Sequence, residues 1–335
     1  MPLTPPFDFP HRVNDDLASA RERAVAWGRR LGLEADARTW RRFHGADCAK
    51  MIAYAYPDAT GPDLELAVDM MCFFFVVDEL FDGPWRGETA HATAFVDELV
   101  GVLDLHTAAP RQALSPVAGA FADLWQDSVR GMSAQWRARA AAHWTRYFWG
   151  NVTEDVDRTH QPPTTVDAYL SARRDVIGYQ PCQDMIERAS GFEVPGHVWH
   201  QTAVRELSAI STDLVILCND IYSLEKELDR GDSVNAVMLL ARTTAATPEE
   251  ALGEIVALTE EYAARFHTTA ARARELAAHL HLDGDQRESL ERWIDGNHTW
   301  VGAHNDWSCE ITRYSAGADP VHPNDDFLRT LTRHH

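Results

Sequence analysis

Several features that readily assign a protein to a class are rare or absent in this sequence, and cysteine is the first of them. Only five cysteines occur in 335 residues, with no CxxC pair and no regular spacing. Most lie inside apolar segments, which is typical of reduced thiols in a cytosolic protein rather than of a disulfide framework. No uncharged apolar run reaches the roughly 18 residues that span a membrane, and the N-terminus lacks the basic and apolar regions of a signal peptide. We therefore expect a cytoplasmic protein with no stable membrane association.

Positive charge is also scarce. The chain carries 31 Lys and Arg residues against 51 Asp and Glu residues, which gives a formal net charge of −20. Such an acidic surface repels phosphate backbones and anionic membranes, so nucleic acid is not expected as a partner. A phosphorylated ligand would bind only where metal ions or a local Arg/Lys cluster reverse the field.

Alternating β patterns are nearly absent, and helical periodicity runs through most of the chain, with breaks at Pro and Gly. Ser115-Pro116 looks like an N-cap followed by proline at the first helical position. No linker is long enough to separate two domains, so we predict one all-α helical bundle over residues 1–335, with its site in the core. A segment of about residues 1–12 begins the chain, and a polar, His-rich tail of about residues 317–335 is either disordered or closed over another part. The predicted helices are 13–32, 37–56, 62–82, 88–105, 116–150 with a break near Gly131, 165–190, 196–230, 234–244, 248–280 and 284–311.

The first candidate site follows an apolar run in the segment 72–82, CFFFVVDELFD. Asp78 and Asp82 are four residues apart, so on a helix they differ by about 40° in azimuth and share one face. Two carboxylates at this spacing repel unless a cation lies between them, and Mg²⁺ prefers such oxygen ligands. The alternative is a helix end that reaches solvent before Gly83-Pro84.

A second set of oxygen-bearing side chains repeats this spacing. Asn219, Ser223 and Glu227 lie at steps of four on a helix that begins with the apolar residues from Leu214 onward. Their amide, hydroxyl and carboxylate oxygens can all bind Mg²⁺, and Lys226 lies close enough to meet an anion. The alternative is a polar stripe on an exposed helix. Two such clusters favour a bundle whose mouth holds several metal ions.

Together these segments resemble the bacterial class I terpene synthases (terpene cyclases). The aspartate-rich motif of that family is similar to Asp78–Asp82, and its Asn-Asp-x-x-Ser-x-x-x-Glu motif is similar to Asn219–Glu227. The aspartate-rich motif alone is weak evidence, but both motifs in this order and about 140 residues apart form a specific match. The resemblance covers about residues 50–316, nearly the whole chain.

Two further segments fit the same family. Arg173, the first residue of RRDVIG, lies 46 positions before Asn219, the offset at which the family carries its diphosphate-sensing arginine. Arg313-Tyr314 resembles the family's Arg-Tyr pair, which donates hydrogen bonds to diphosphate. Taken singly, the first could be a solvated helix face and the second a helix cap. Their presence beside both metal motifs favours the functional interpretation.

The resemblance implies a linear isoprenyl diphosphate as substrate and Mg²⁺ as cofactor, with three ions expected. Metal ions would carry the positive charge that allows an acidic protein to bind a polyanion. The family's commonest case is a sesquiterpene cyclase, which converts farnesyl diphosphate to a cyclic hydrocarbon or alcohol and releases diphosphate. The expected metal ligands are Asp78, Asp82, Asn219, Ser223 and Glu227, and the expected diphosphate contacts are Arg173, Lys226, Arg313 and Tyr314.

Loss of diphosphate leaves an allylic cation, which needs a dry apolar pocket with aromatic faces. Phe74 and Phe75 lie one turn before Asp78, and Trp300 and Trp307 lie seven residues apart on one helix face. By resemblance, both pairs line the catalytic pocket. Phe73 is expected in the core, and the weaker pocket candidates are Tyr54, Phe148 and Tyr179.

The resemblance also implies a helix break near the fourth residue after the sensor. That residue is Ile177, whose backbone carbonyl would face the substrate, with Val176 as the linker. Gly178 and Pro181 make a local break physically reasonable. Closure would follow when diphosphate draws Arg173 inward.

The sequence departs from the family pattern in its first motif, and other functions stay open. Glu79 replaces the usual second Asp, and Gly83 lacks a carboxylate that some members carry. The alternatives are a mono- or diterpene cyclase, a chain-elongating prenyltransferase, which would carry two aspartate-rich motifs, and a non-catalytic helical binding protein. A homodimer is also left open.

Overall fold

The structure is a computed structural model that describes residues 7–104, 113–160, 162–230, 234–311, 321 and 325–334. These residues form α-helices and connecting loops, and no strand occurs within these ranges. The all-α prediction is therefore confirmed. In chain order the helices are α1 (Leu17–Arg30), α2 (Ala37–Ala46), α3 (Cys48–Ala55), α4 (Gly61–Asp82), α5 (Thr89–Leu103), α6 (Pro116–Ser128), α7 (Ala134–His160), α8 (Val166–Arg173), α9 (Tyr179–Ser190), α10 (Gly196–Trp199), α11 (Thr202–Arg230), α12 (Ala236–Thr244), α13 (Pro248–His279), α14 (Gly284–Glu310) and α15 (Asp326–Thr330).

Helix α4, which carries the first motif, is a core helix. Its apolar residues from Leu64 to Leu80 are buried almost all round, because α1, α3, α6 and α9 pack against it. Phe73 is fully buried and stacks on Phe121, with ring centroids 5.0 Å apart. Phe73 is thus the core residue that the sequence predicted, and the apolar run reflects burial of the helix on several sides.

Helix α11, which carries the second motif, is the other central helix. It packs along α13 and also contacts α12 and α14. Its segment Thr202–Leu228 is long and apolar enough to cross a membrane, but 78% of the most apolar window is buried inside the fold. Its apolar composition is therefore accounted for by packing against neighbouring helices.

The residues at several helix starts cap those helices, as their types in the sequence indicate. The Ser115 hydroxyl accepts a hydrogen bond from the Ala118 amide, and Pro116 occupies the first turn of α6, as predicted. Thr247 and Asp283 begin α13 and α14 with reciprocal capping boxes. These caps satisfy amides that the first helical turn leaves without intrahelical partners.

Several predicted helices are divided in the structure. The predicted helix 37–56 breaks at Asp47, which has a left-handed φ of 40° between α2 and α3. The predicted helix 196–230 breaks after Trp199, and the predicted helix 165–190 breaks between Arg173 and Tyr179. The break near Gly131, between α6 and α7, is confirmed. The break between Arg173 and Tyr179 includes Ile177, where the resemblance implied one. The breaks at Asp47 and after Trp199 depend on which neighbouring helices the chain must contact, so periodicity alone misses them.

The C-terminal segment packs against the bundle where it is described. Leu328 of α15 is fully buried, and the Val117 amide donates to the Leu331 carbonyl at 3.1 Å. Arg329 Nη2 donates to the Pro84 carbonyl at 2.7 Å, just beyond the end of α4. Residues 325–334 therefore lie against α6 and the end of α4.

Candidate active site

The two oxygen clusters lie around one cavity in the bundle core. Asp78 and Asp82 belong to the last turns of α4, and Asn219, Ser223 and Glu227 belong to the second half of α11. All five line the same cavity, which has a volume of about 190 Å³. The predicted residues that share this lining are Phe74, Phe75, Arg173, Val176, Ile177, Gly178, Lys226, Trp300 and Trp307.

The polar side of the cavity fits a divalent cation. Ser223 is buried, and within the described part of the chain its hydroxyl oxygen makes no hydrogen bond of normal geometry, although it lies near enough to Glu227 to lower the pKa of that carboxyl. Buried polar atoms are normally satisfied in native proteins, so such an atom indicates a missing ligand. No three His, Cys, Asp or Glu side chains converge on one point among the described residues. A metal set here therefore has to combine carboxylates with the Asn219 and Ser223 oxygens.

Asn235 orients the second motif from behind. This residue caps α12, and its side-chain amide donates to Glu227 Oε2 at 2.9 Å and to the Asp220 carbonyl at 2.8 Å. Burial, together with the negative charge of the nearby Asp220, raises the pKa of Glu227 to about 7. A buried carboxylate in such a position gains from a bound cation, which favours its charged form.

Asp220 supports the site without lining it. Its carboxylate accepts hydrogen bonds from the Tyr169 hydroxyl at 2.7 Å and from the Ala236 amide at 2.8 Å. Burial raises its pKa to about 6. Through these bonds Asp220 joins α8 and α12 to α11, whereas its neighbour Asn219 lies on the cavity side.

Arg173 faces the cavity as half of an ion pair. Its Nη1 lies 2.8 Å from Glu154 Oε1, and both side chains are largely buried. Burial opposes the charge, but Glu154 and the other nearby acids raise the pKa of Arg173 well above its usual value. Among the described residues no partner binds its Nε. Arg174, in contrast, makes two 2.7 Å hydrogen bonds to Asp213 outside the cavity.

The chain turns sharply between Arg173 and α9. Gly178 has a φ of +72°, and a Cβ at this position would lie 2.9 Å from Phe74 Cε1. Only glycine combines that backbone conformation with such close contact. The turn places Val176 and Ile177 in the cavity lining, beside the first motif.

Aromatic rings form the apolar wall. Phe74 packs between Trp144 and Tyr147, each with a ring centroid 5.0 Å away. Trp300 Nε1 donates to the Tyr56 hydroxyl at 3.2 Å, and Trp307 Nε1 donates to the Ala46 carbonyl at 3.0 Å. These bonds satisfy the indole N–H groups within the protein, so the cavity wall that the indoles form is apolar. The weaker candidates Tyr54, Phe148 and Tyr179 do not line the cavity.

Glu79 replaces the second Asp that is usual in the first motif, and its carboxylate pairs with an arginine instead of lining the cavity. It is buried and forms an ion pair with Arg42 of α2, whose Nη2 also contacts Asp325 Oδ2 at 3.1 Å. Glu79 does not belong to the cavity lining. Arg313 and Tyr314 lie outside the described residues.

Sequence reasoning missed several lining residues. Asn151, Glu154 and Asp155 on α7 line the cavity, and their spacing of three and four residues on one helix was a usable signal. His304 lies between Trp300 and Trp307 in the sequence and also lines the cavity. The other unpredicted lining residues are Ala46, Cys48, Met51, Met71, Phe81, Cys182 and Val215, for which the sequence carries no distinctive pattern.

A helical bundle with oxygen donors and aromatic rings around one core cavity is the arrangement that the resemblance to class I terpene synthases implies. Comparison with known proteins agrees. A model of terpene synthase family 2, C-terminal metal binding, matches residues 69–265. The chain belongs to the terpene synthase family and is a class I terpene synthase.

Individual relatives cover nearly the whole chain. A (−)-β-caryophyllene synthase of Saccharothrix espanaensis, described as (2E,6E)-farnesyl diphosphate cyclizing, is 35% identical over 309 residues, which cover 92% of this chain and 87% of that protein. A pentalenene synthase of Streptomyces exfoliatus is 38% identical over 318 residues, or 92% of this chain and 91% of that one. The crystal structure of germacradien-4-ol synthase from Streptomyces citricolor aligns with a TM-score of 0.81 at 30% identity, covering 91% of this chain and 98% of that chain. The family implies a divalent metal cofactor and an isoprenyl diphosphate substrate.

Proposed function

We propose that the protein ionises and cyclises farnesyl diphosphate in the presence of Mg²⁺, forming a cyclic sesquiterpene hydrocarbon or alcohol and releasing diphosphate. The observation that carries the proposal is the single cavity in which a polar mouth from α4 and α11 meets an aromatic wall. A relative with (2E,6E)-farnesyl diphosphate in its name supports the chain length.

The mouth residues hold the cofactor and leaving group. Asp78 and Asp82 provide oxygen donors on one wall, and Asn219, Ser223 and Glu227 provide them on the other. Three bound Mg²⁺ ions would neutralise charge on the departing diphosphate. Asn235 keeps the Glu227 carboxylate oriented through its 2.9 Å hydrogen bond.

Arginine and lysine side chains bind the diphosphate. Arg173 exchanges its ion pair with Glu154 for charge-assisted hydrogen bonds to the ligand, and Lys226 lies on the same lining. By family resemblance, Arg313 and Tyr314 complete the diphosphate contacts. Movement of Arg173 shifts the short turn that carries Val176 and Ile177, and the Ile177 carbonyl then faces the substrate.

The apolar part of the cavity holds the hydrocarbon chain. Phe74, Phe75, Trp300 and Trp307 present aromatic faces, which stabilise a carbocation by about 0.5–2 kcal/mol each. Methionine and valine side chains complete a wall that excludes water, so the cation cyclises before water quenches it.

The test incubates purified protein with geranyl, farnesyl and geranylgeranyl diphosphates, each with and without Mg²⁺, and identifies products by gas chromatography–mass spectrometry. Glu227→Gln removes a proposed ligand, and Glu225→Gln is its matched control, an exposed glutamate two residues away on the same helix. We expect a Mg²⁺-dependent cyclic product from farnesyl diphosphate that Glu227→Gln lowers by at least about 10²-fold. Glu225→Gln should leave the yield unchanged.

Other outcomes identify the alternatives. Cyclic products from geranyl or geranylgeranyl diphosphate alone would make the enzyme a mono- or diterpene cyclase. Longer diphosphates formed on addition of isopentenyl diphosphate would indicate a chain-elongating prenyltransferase. Tight Mg²⁺-dependent substrate binding with no turnover would indicate a binding protein, and equal loss in both glutamate variants would contradict the assignment of Glu227.

A further inference from the structure

The imidazole of His304 lies in the cavity but has no role in the proposed metal and diphosphate chemistry. His304 of α14 is 6% exposed, and its ring belongs to the cavity lining. Among the described residues no hydrogen-bond partner reaches its Nδ1. A buried polar atom without a partner, placed at a ligand cavity, indicates an interaction that forms when the ligand is bound.

His304 lies in the apolar part of the cavity, which is proposed to hold the hydrocarbon chain. Its ring is stacked with Trp300 and tilted against Trp307, with both centroid distances at 5.8 Å. The helical rise places it about 6 Å along α14 from Trp300 and about 4.5 Å from Trp307. The two proposed aromatic faces for the cation therefore flank this imidazole on one wall.

The chemical state of His304 suits a proton acceptor. Burial lowers the pKa of His304 to about 4, so the ring is neutral at pH 7 and keeps a free lone pair. The Cys182 thiol, also in the lining, is a donor to the Gly178 carbonyl at 3.4 Å, and burial raises its pKa. The other Brønsted bases among the described lining residues are carboxylates on α4, α7 and α11, namely Asp78, Asp82, Glu154, Asp155 and Glu227.

We propose that His304 is the base that ends the reaction by taking a proton from the final carbocation, which makes the main product an olefin. This assignment rests on the proposed cyclase function. A C–H bond next to the cationic carbon breaks, its electron pair becomes the new carbon–carbon double bond, and the proton binds an imidazole nitrogen. The positive charge passes from carbon to imidazolium, and the proton leaves to water when the product is released. Because an alkyl cation is a far stronger acid than imidazolium, the transfer is downhill despite the lowered basicity of the ring.

The experiment compares His304→Phe and His304→Gln with the wild type and with His298→Phe. His298 is a matched control because it lies on the same helix, is absent from the cavity lining and stacks on Phe9 with centroids 4.3 Å apart. Diphosphate release measures ionisation. Mass spectrometry of the extracted products shows whether the final cation loses a proton to form an olefin or is captured by water to form an alcohol. Circular dichroism confirms that each variant is folded.

We expect both His304 variants to release diphosphate within about threefold of the wild-type rate, because a base that acts after ionisation does not change that step. The ratio of the wild-type olefin to other products should fall by about 10²-fold, with the difference appearing as alcohols or as olefins with a moved double bond. His298→Phe should keep the wild-type product ratio.

Three results would overturn the assignment. An unchanged product ratio in both His304 variants would make the ring a passive wall. A wild-type ratio in His304→Gln alone would show that a non-basic polar group suffices, and loss of diphosphate release in folded variants would place His304 before ionisation. If the wild type releases diphosphate from no isoprenyl diphosphate, the proposed function fails, and the base assignment fails with it.

Discussion

Side chains around the cavity differ in whether the protein already satisfies them. The indole N–H groups of Trp300 and Trp307 are hydrogen-bonded to protein oxygens, whereas Ser223 Oγ and His304 Nδ1 are buried with no such partner in the described part of the chain. These two atoms lie on different helices of the cavity, Ser223 at the polar mouth and His304 on the aromatic wall, and Arg173 Nε is a third lining atom without a partner among the described residues. The distribution accords with the proposed roles, a metal ligand at Ser223 and a contact to the organic ligand at His304.

The buried imidazole predicts a pH dependence of stability. The folded-state pKa of His304 is about 4, below the ordinary 6.5, so between these values the unfolded chain binds a proton that the folded chain does not. This contribution to the free energy of unfolding is fully present above pH 6.5 and is lost as pH falls to 4, a change of about 3 kcal/mol. In urea titrations across this range, His304→Phe should show a shallower fall than the wild type. Parallel pH profiles would contradict the burial of a neutral His304.

At the scale of helices, the turn between α8 and α9 joins Arg173, the proposed diphosphate sensor, to the pocket lining. Arg173 ends α8, Gly178 precedes α9, and Ile177 lies between them on the cavity side. Gly150 of α7 packs so closely on this turn that an added Cβ would lie 2.8 Å from the Asp175 carbonyl oxygen. The turn is therefore held by tight backbone contact, which lets a displacement of Arg173 pass to Ile177.

Gly178→Ala should reduce both stability and turnover. A left-handed alanine costs about 1–2 kcal/mol, and its methyl group would meet Phe74 at 2.9 Å. The expected result is a lower melting temperature together with a reduced kcat, as the Ile177 carbonyl shifts. Gly119→Ala in α6 is the control, because its Cβ meets nothing within 4 Å and should not destabilise the protein. Wild-type activity in Gly178→Ala would show that the turn has no part in catalysis.

The ion pairs of Arg42 connect three elements around the first motif. The Arg42, Glu79 and Asp325 side chains are only 8%, 8% and 13% exposed, so removal of the arginine leaves two nearly buried carboxylates without the cation that they share. Arg42→Met should lower the free energy of unfolding by about 3–5 kcal/mol. The neighbouring exposed Arg41→Met should change it by less than about 0.5 kcal/mol. Equal effects in chemical denaturation would mean that the network contributes nothing specific.

Over the whole molecule, a net charge of −20 opposes the binding of a diphosphate. The described mouth offers Arg173 and Lys226 among five carboxylates on the cavity lining, so local positive charge alone does not reverse the field. We expect bound metal ions to supply the missing charge, which would make diphosphate binding and metal binding interdependent.

Thermal unfolding should reveal this interdependence. With EDTA present, diphosphate alone should leave the melting temperature unchanged, because the acidic mouth repels it. Mg²⁺ and diphosphate together should raise the free energy of unfolding by about 2.7 kcal/mol when their concentration is about a hundredfold above the dissociation constant for their joint binding. Mg²⁺ with sulfate is the control for ionic strength, and a full shift from diphosphate without metal would refute the coupling.

The sequence predicted the fold class, the family and the helices that carry both motifs, and the structure and comparisons confirm these points. Helical periodicity is a local property, so Asp78 with Asp82, and Asn219 with Ser223 and Glu227, could be assigned to shared faces before any tertiary contact was known. The roles of these residues stay predictions for the experiments above. The partner of Glu79 lay beyond sequence reasoning, because Arg42 is 37 positions away and Asp325 is more than 200 away.

By itself, then, the sequence determined that this chain is helical with two oxygen-rich motifs, because spacing along a helix sets which side chains share a face, and the resemblance of those motifs to the terpene synthases indicated an enzyme. Only the tertiary structure decided which atoms those motifs leave for a ligand. The pairing of Arg173 with Glu154, the support of Glu227 by Asn235 and the placement of His304 beside two indoles all depend on how distant helices pack. Packing is set by shape and burial over the entire core, which no single segment encodes.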